Sequence, residues 1–269
     1  MYSVNYHRAN SVADAAKLLK TGDAKLLSGG MTLIPAMKTR LAAPSDLVDV
    51  SRIAALKGVK VSGKTVTIGA ATTHFEVSTD AKLQKACPAL AELASMIGDP
   101  AVRHRGTIGG SIANNDPAAD YPAAMVALGA TIVTNKREIA ADKFFKGLFE
   151  TVLKDGEVVT SVSFTAPAKA AYQKFRNPAS RYAIVGVFVA KGKATGKDDV
   201  RVAVTGAGDS GVFRAKTIEA ALAKSFDPAV VAGAKVSADS LMTDMHASAD
   251  YRANLISVMA KRAVAAANG

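Results

Sequence analysis

The chain has 269 residues, 49% hydrophobic and 21% charged, with one cysteine, four histidines and a formal net charge of +11. That composition can bury a real core and is long enough for two domains. The lone Cys87 excludes an internal disulfide and an iron–sulfur cluster held by several cysteines, and the scattered histidines speak against a zinc site. The positive balance raises nucleic acid as a partner, but no basic run exceeds two residues and no aromatic–basic alternation occurs, so a solvated basic surface facing an acidic partner subunit fits better.

The opening "MYSVNYHRAN" lacks the apolar run of a secretory signal, and the longest apolar stretch, "YAIVGVFVA" at 182–190, falls far short of the roughly 20 residues of a spanning helix. A cytoplasmic protein with no transmembrane segment is expected. Ser11 to Lys20, with a serine followed three positions later by Asp14, reads as a capped helix. "AKLLS" reads as a short buried strand that runs into the glycine pair of "SGGMT", residues 28–32. "LIPAMKTRL" follows with helical spacing and Pro35 in its first turn, so the first pair sits at a strand-to-helix junction. "DLVDV" at 46–50 is a second strand, and "GVKVSGKTVTIGA" a hairpin turning near Ser62 and Gly63.

"PALAELASMI" is helical, whereas "TIGGSIA" has too much glycine for a helix and is expected to be extended. "DPAADYPAAMVALGA" resumes helix, with Asp116 as the cap and Pro117 at the first position, and "TIVTN" closes with a strand. Beyond "FTAPAKAA" the texture changes to three successive strands, "YQKF", "RYAIVGVFVAKG" and "DVRVAVTGAG", followed by alanine-rich helices. A domain boundary is placed near Ala168.

A glycine pair at a helix start can leave N–H groups free and remove the Cβ atoms that would keep an anion away. Two such loops facing each other can hold the two phosphates of a dinucleotide, with Ser28, Thr32, Thr107 and Ser111 adding hydroxyls. On spacing alone, tight turns or close strand-to-helix packing are the preferred explanation of the pairs. No "GxxxxGK[ST]" mononucleotide loop exists. "GAGDSG", Gly206 to Gly211, matches the G-x-G-x-x-G fingerprint, but no second parallel strand ending in an acid follows it, so a connecting loop is preferred over a nicotinamide site.

Read with their neighbours, "LLSGGMTLIPAMKTRLAAPSDLVDVSRI", "IGDPAVRHRGTIGGSIANNDPAADYPAAMVALGA" and "RVAVTGAG" resemble the medium, FAD-binding subunit of aerobic carbon monoxide dehydrogenase and xanthine dehydrogenase-type molybdenum hydroxylases. The resemblance implies an α+β protein: a two-subdomain FAD-binding domain of the PCMH type over 1–168, with subdomains of about 1–57 and 58–168, then a domain over 169–269 with a three-stranded antiparallel sheet and helices. It also implies a first FAD loop of Leu27, Ser28, Gly29, Gly30, Met31, Thr32 and Leu33, and a second of Thr107, Ile108, Gly109, Gly110 and Ser111. Asp120 matches the acid used on the ribityl or adjoining hydroxyls, although a charge in a helix's first turn is equally sound physically. Lys174 matches a lysine near the flavin ring, where a cation favours the anionic reduced form. Ile97, Asn114 and Val159 fall where the family lines the ring and its tail.

Met31 departs from the family, whose first loop often carries Gln or His there, so a side-chain hydrogen bond is lost while the backbone cradle is kept. The family holds its FAD without a covalent bond, and His104, between two arginines, is read as surface. The implied role is electron transfer within a complex, with no catalytic residue or metal on this chain. The molybdenum cofactor lies on a large subunit and the [2Fe–2S] clusters on a small one, in a dimer of heterotrimers that passes electrons to an acceptor such as a quinone and is associated with the inner face of the membrane. The rival reading is a nucleotide-binding assembly module without redox activity.

Overall fold

The computed structural model describes residues 1–193 and 198–269. Its first subdomain contains β1 (Asn5–Arg8), α1 (Val12–Leu18), β2 (Ala24–Leu27), α2 (Leu33–Lys38) and β3 (Asp46–Asp49), with a parallel sheet ordered β1-β3-β2. Ser11 caps α1 by accepting the Asp14 N–H. Parallel strands need helical crossovers, and the two short helices supply them. The first glycine pair lies in the second crossover, between β2 and α2, as its flanking sequence requires.

The second subdomain begins with the hairpin β4 (Val59–Ser62) and β5 (Thr65–Gly69). Helices α3 (His74–Thr79), α4 (Ala81–Ala86), α5 (Pro88–Ser95), α6 (Pro100–Arg103), α7 (Ile108–Asn114) and α8 (Tyr121–Ala127) follow, then β6 (Thr131–Thr134), β7 (Glu138–Ala140), α9 (Ala141–Phe144), β8 (Phe145–Gly147), β9 (Glu150–Thr151) and β10 (Val159–Thr165). The main sheet is antiparallel, ordered β4-β5-β10-β6-β7.

Two local expectations fail here. The stretch from Ile108 is helical, not extended: Thr107 caps α7 by accepting the Gly110 N–H, and packing overrides the glycine penalty of about 1 kcal/mol per residue. An added Cβ at Gly109 would lie 2.5 Å from Ala70 Cβ and 2.7 Å from its carbonyl oxygen, so only glycine lets α7 approach the end of β5. Helix α8 begins at Tyr121, not at Pro117. Asp116 accepts the Ala118 N–H and closes a turn instead, leaving Asp120 at the helix start with no side-chain cap bond.

The third region comprises β11 (Lys169–Arg176), β12 (Ala183–Lys193), β13 (Asp198–Thr205), β14 (Phe213–Arg214), α10 (Lys216–Lys224) and α11 (Ala249–Asn268). Its antiparallel sheet has four strands, ordered β11-β12-β13-β14, where three were expected. The added strand, two residues paired to Ala203 and Val204, is too short to show a period of two. In β12, Phe188 and Ala190 join the core of the second subdomain, while Val185, Val187 and Val189 join a core formed with α10 and α11. A strand buried on both faces reads as a continuous apolar run, not an alternation, which explains "AIVGVFVA". Among the described residues no helix is long and apolar enough to cross a membrane.

Candidate cofactor-binding site

The two glycine loops, nearly eighty residues apart in sequence, touch. Thr107 Oγ1 donates to Ser28 Oγ at 3.1 Å, and an added Cβ at Gly29 would overlap the Arg105 carbonyl and lie 2.8 Å from Gly106 Cα. Gly29 is therefore the point of closest contact between the loops. Gly30 has a different reason for its identity: its φ of +73° is a left-handed conformation that side chains resist.

The loops are not equivalent as anion sites. In the second, Ile108 donates to the Thr72 carbonyl, Gly109 to that of Ala70, Gly110 to Thr107 Oγ1 and Ser111 to the Thr107 carbonyl. Its N–H groups are spent inside the protein, contrary to the expected pair of equal cradles. In the first loop the N–H groups of Gly29, Gly30, Met31, Thr32 and Leu33 have no acceptor among the described residues. Five consecutive free donors at a strand-to-helix junction suit a phosphate. The second loop contributes space and hydroxyls: an added Cβ at Gly110 meets only Thr107 Oγ1, at 3.0 Å, and Ser28, whose Oγ already accepts from Thr107, keeps its own proton to donate.

Both loops wall one cleft of about 860 Å³, inside the roughly 300–1,000 Å³ span of cofactor sites. The structure brings together on its walls Ser28, Gly29, Gly30, Met31, Thr32, Leu33, Ile97, Thr107, Gly109, Gly110, Ser111, Asn114, Asp120, Val159 and Lys174. Leu27 and Ile108 are off the wall. Leu27 lies in β2, where its carbonyl accepts the Val50 N–H, and Ile108 is fully buried in the core of the second subdomain. Both belong to the scaffold beneath the loops.

Asp120 is buried at the cleft wall, where Lys174 Nζ lies 3.0 Å from its carboxylate and the Tyr172 hydroxyl donates to Oδ1. Burial raises the Asp120 pKa above the ordinary carboxylate value, while the Lys174 ammonium and the Tyr172 hydroxyl oppose the rise. The first-turn role considered from sequence does not describe it, because its oxygens face a strand instead of the helix. Tyr172 was not singled out by sequence reasoning, yet it sits two residues before Lys174 on the same face of β11, a period-two signal that points to it.

His74 was also missed. It lines the cleft, is nearly fully buried, and its Nδ1 has no partner among the described residues. Burial, with a smaller contribution from the Arg103 guanidinium, pushes its pKa down from 6.5 to about 4, so it is neutral at physiological pH. Tyr182, half exposed, closes the cleft from the segment leading into β12. His104 is exposed, bonded through Nδ1 to the Pro100 carbonyl and stacked on Phe75. It does not line the cleft.

The "GAGDSG" segment connects β13 to β14 and has a different task from a dinucleotide fingerprint. Thr205 Oγ1 donates to the carbonyls of Pro117 and Ala119, and the Gly206 N–H donates to that of Pro117. Gly206 has φ +80°, and a Cβ there would lie 2.9 Å from the Ile184 carbonyl oxygen. This segment clamps the turn that delivers Asp120.

A run of free donors suited to phosphate, a cleft of cofactor size and a buried acid–base pair at its wall define a dinucleotide-binding protein. Residues 2–167 match the family described as the FAD binding domain in molybdopterin dehydrogenase, and residues 170–267 match the CO dehydrogenase flavoprotein C-terminal domain. The chain belongs to this family of FAD-binding molybdopterin dehydrogenase proteins. It is 36% identical to the carbon monoxide dehydrogenase medium chain of Hydrogenophaga pseudoflava, over 97% of this chain and 96% of that one. It is 33% identical to the 6-hydroxypseudooxynicotine dehydrogenase complex subunit alpha of Paenarthrobacter nicotinovorans, over 98% and 94%. The solved carbon monoxide dehydrogenase of Hydrogenophaga pseudoflava superposes with a TM-score of 0.90 at 37% identity, over 99% of this chain and 97% of that one.

Proposed function

We propose that the chain is the FAD-binding electron-transfer subunit of a molybdenum hydroxylase complex of the carbon monoxide dehydrogenase type. The observation that carries this reading is the run of five N–H groups at Gly29–Leu33 with no acceptor among the described residues, in a loop that lines the cleft beside the Thr107–Ser28 contact. A diphosphate bridge supplies the anionic oxygens those donors need. Gly110 leaves the opposite wall open, and the hydroxyls of Ser28, Thr32 and Ser111 are available as further donors.

Farther along, Asp120 accepts hydroxyl donors and Lys174 supplies a cation, while Ile97, Asn114 and Val159 complete the wall. Retention is non-covalent. Bound FAD takes up electrons singly or in pairs, which lets single-electron input be matched to a two-electron acceptor. This chain's residues hold and orient the cofactor and set the charge around it.

A large molybdenum subunit performs substrate oxidation and a small [2Fe–2S] subunit delivers the electrons, in a dimer of heterotrimers. The acceptor is a quinone or similar carrier, which places the complex at the inner face of the membrane. With a domain boundary near Ala168, β11 belongs to the second domain; its Lys174 lines the cleft, so both domains are needed for binding. Purification from the native cell tests the reading: the chain is expected to come with a large and a small chain and, once separated from them, to be yellow with one FAD per chain, its absorption bleached by dithionite. A colourless protein that FAD cannot reconstitute overturns it and leaves the assembly-module alternative.

A further inference from the structure

We propose that Tyr172 is a positioning residue for the cofactor site: its hydroxyl, held by the space that Gly186 leaves open, keeps Asp120 ionised and so sets the net charge that the Asp120–Lys174 pair presents to the cleft. The proposal rests on the FAD reading above and deepens it. Tyr172 is fully buried and, unlike Asp120 and Lys174, does not line the cleft. Any influence it has on a ligand passes through Asp120, to which it donates.

The geometry is built around that bond. Tyr172 and Lys174 share one face of β11 and reach the same carboxylate, the hydroxyl at Oδ1 and the ammonium at 3.0 Å. Gly186 is the cross-strand partner of Lys174 in β12. A Cβ at Gly186 would overlap the Tyr172 hydroxyl oxygen and lie 2.9 Å from Thr205 Cγ2. Glycine in the middle of a long strand weakens it, and here its function is to admit the phenol.

The charged and titratable groups around Asp120 are Lys174 and Tyr172 from β11, Tyr121 on its own helix, Asp116 in the preceding turn, and Tyr182 before β12. Lys174 is the one cation among them. With the carboxylate ionised, the pair is close to neutral; without the Tyr172 donor the charged form keeps Lys174 but loses a second stabilising partner, so the balance against burial moves toward the protonated acid. The ammonium is then uncompensated and the cleft gains positive charge.

The experiment uses the FAD-loaded full chain, or the intact complex, and compares the parent with Tyr172→Phe and Asp120→Asn. Thermal melting and FAD stoichiometry are measured first, and the flavin midpoint potential is then measured across the neutral pH range. The expected result is a more positive potential in Tyr172→Phe, with the difference shrinking as pH rises and Asp120 ionises again. Asp120→Asn should give a positive shift that persists at high pH, and adding Tyr172→Phe to it should change nothing further. Gly186→Ala, which displaces the hydroxyl without deleting it, serves as the second route if Tyr172→Phe does not fold. Equal potentials at every pH in parent and variant overturn the proposal. Failure of the parent itself to bind FAD is a distinct result that overturns the functional reading.

Discussion

Replacing Gly29 by alanine tests the contact between the two loops at its tightest point. The new Cβ would overlap the Arg105 carbonyl and approach Gly106 Cα to 2.8 Å. Backbone atoms cannot rotate away as a side-chain end can, so the loops must separate. Overpacking of this kind costs about 1–3 kcal/mol, and loss of the Thr107–Ser28 hydrogen bond adds about 1 kcal/mol. The expected total is roughly 2–4 kcal/mol. Each kcal/mol lowers Tm by roughly 2–4 °C in a chain of this size, so calorimetry should detect the loss readily.

Gly110→Ala is the matched control. Its Cβ meets only the Thr107 hydroxyl, and alanine is the better helix former by about 1 kcal/mol, so the fold should be retained while the methyl intrudes on the cleft. Equilibrium dialysis with FAD should show a loss of at least about tenfold in affinity for both variants, equivalent to about 1.4 kcal/mol. Only Gly29→Ala should lose stability as well. A Gly29→Ala protein with the parent's Tm and FAD occupancy would refute the claim that the loops meet there.

Asp120→Ala should destabilise the chain by about 3–5 kcal/mol, because it leaves the Lys174 ammonium buried without a counter-charge; denaturant titration measures this, and FAD occupancy should fall with it. His74, neutral in the fold with a pKa of about 4 against 6.5 when free, makes the unfolded chain bind a proton that the folded chain rejects. Stability should therefore fall as pH drops from about 6.5 to about 4, by roughly 3 kcal/mol, and His74→Gln should flatten that slope in urea midpoints. Glu157 acts in a lower window. Its carboxyl is held near 2 first by the Arg137 hydrogen bonds, so its stabilisation is present above 4.5 and lost toward 2; Arg137→Met should shrink that acid limb, the Lys154 N–H and the Thr134 hydroxyl keeping the remainder. Thr205→Val should cost about 1–2 kcal/mol by leaving the Ala119 carbonyl without its donor, while the Pro117 carbonyl keeps the Gly206 N–H, and should speed FAD release through the loosened turn that carries Asp120.

Much of the site was legible because it depends on backbone. "SGGMT" at a strand-to-helix junction is a local signal, and the junction is where the free N–H groups lie. What the sequence conceals is where the second loop's N–H groups go. Ile108 and Gly109 donate to Thr72 and Ala70, more than thirty residues earlier, and no local pattern encodes that pairing. The same long-range packing turned "TIGGSIA" from an expected extended stretch into α7.

Asp120 and Lys174 were identified through the family resemblance. Tyr172 was overlooked because a tyrosine in an apolar strand reads as core, and its partner lies 52 positions away. The terminal helix and the long strands were plain from periodicity. The two-residue β14 had no room to display one. "GAGDSG" misleads in the opposite way: it satisfies a fingerprint by letter, while its glycines serve a turn and a clamp.

The central claim is that the backbone of the first glycine loop grips the diphosphate of FAD across the cleft. Amide hydrogen exchange with and without FAD tests it directly, because the N–H groups of Gly29–Leu33 have no acceptor among the described residues. Strong protection of that stretch on FAD addition, with little change at the already bonded amides of Ile108 and Gly109, is the predicted result. FAD binding that leaves Gly29–Leu33 exchanging at the unliganded rate would contradict it.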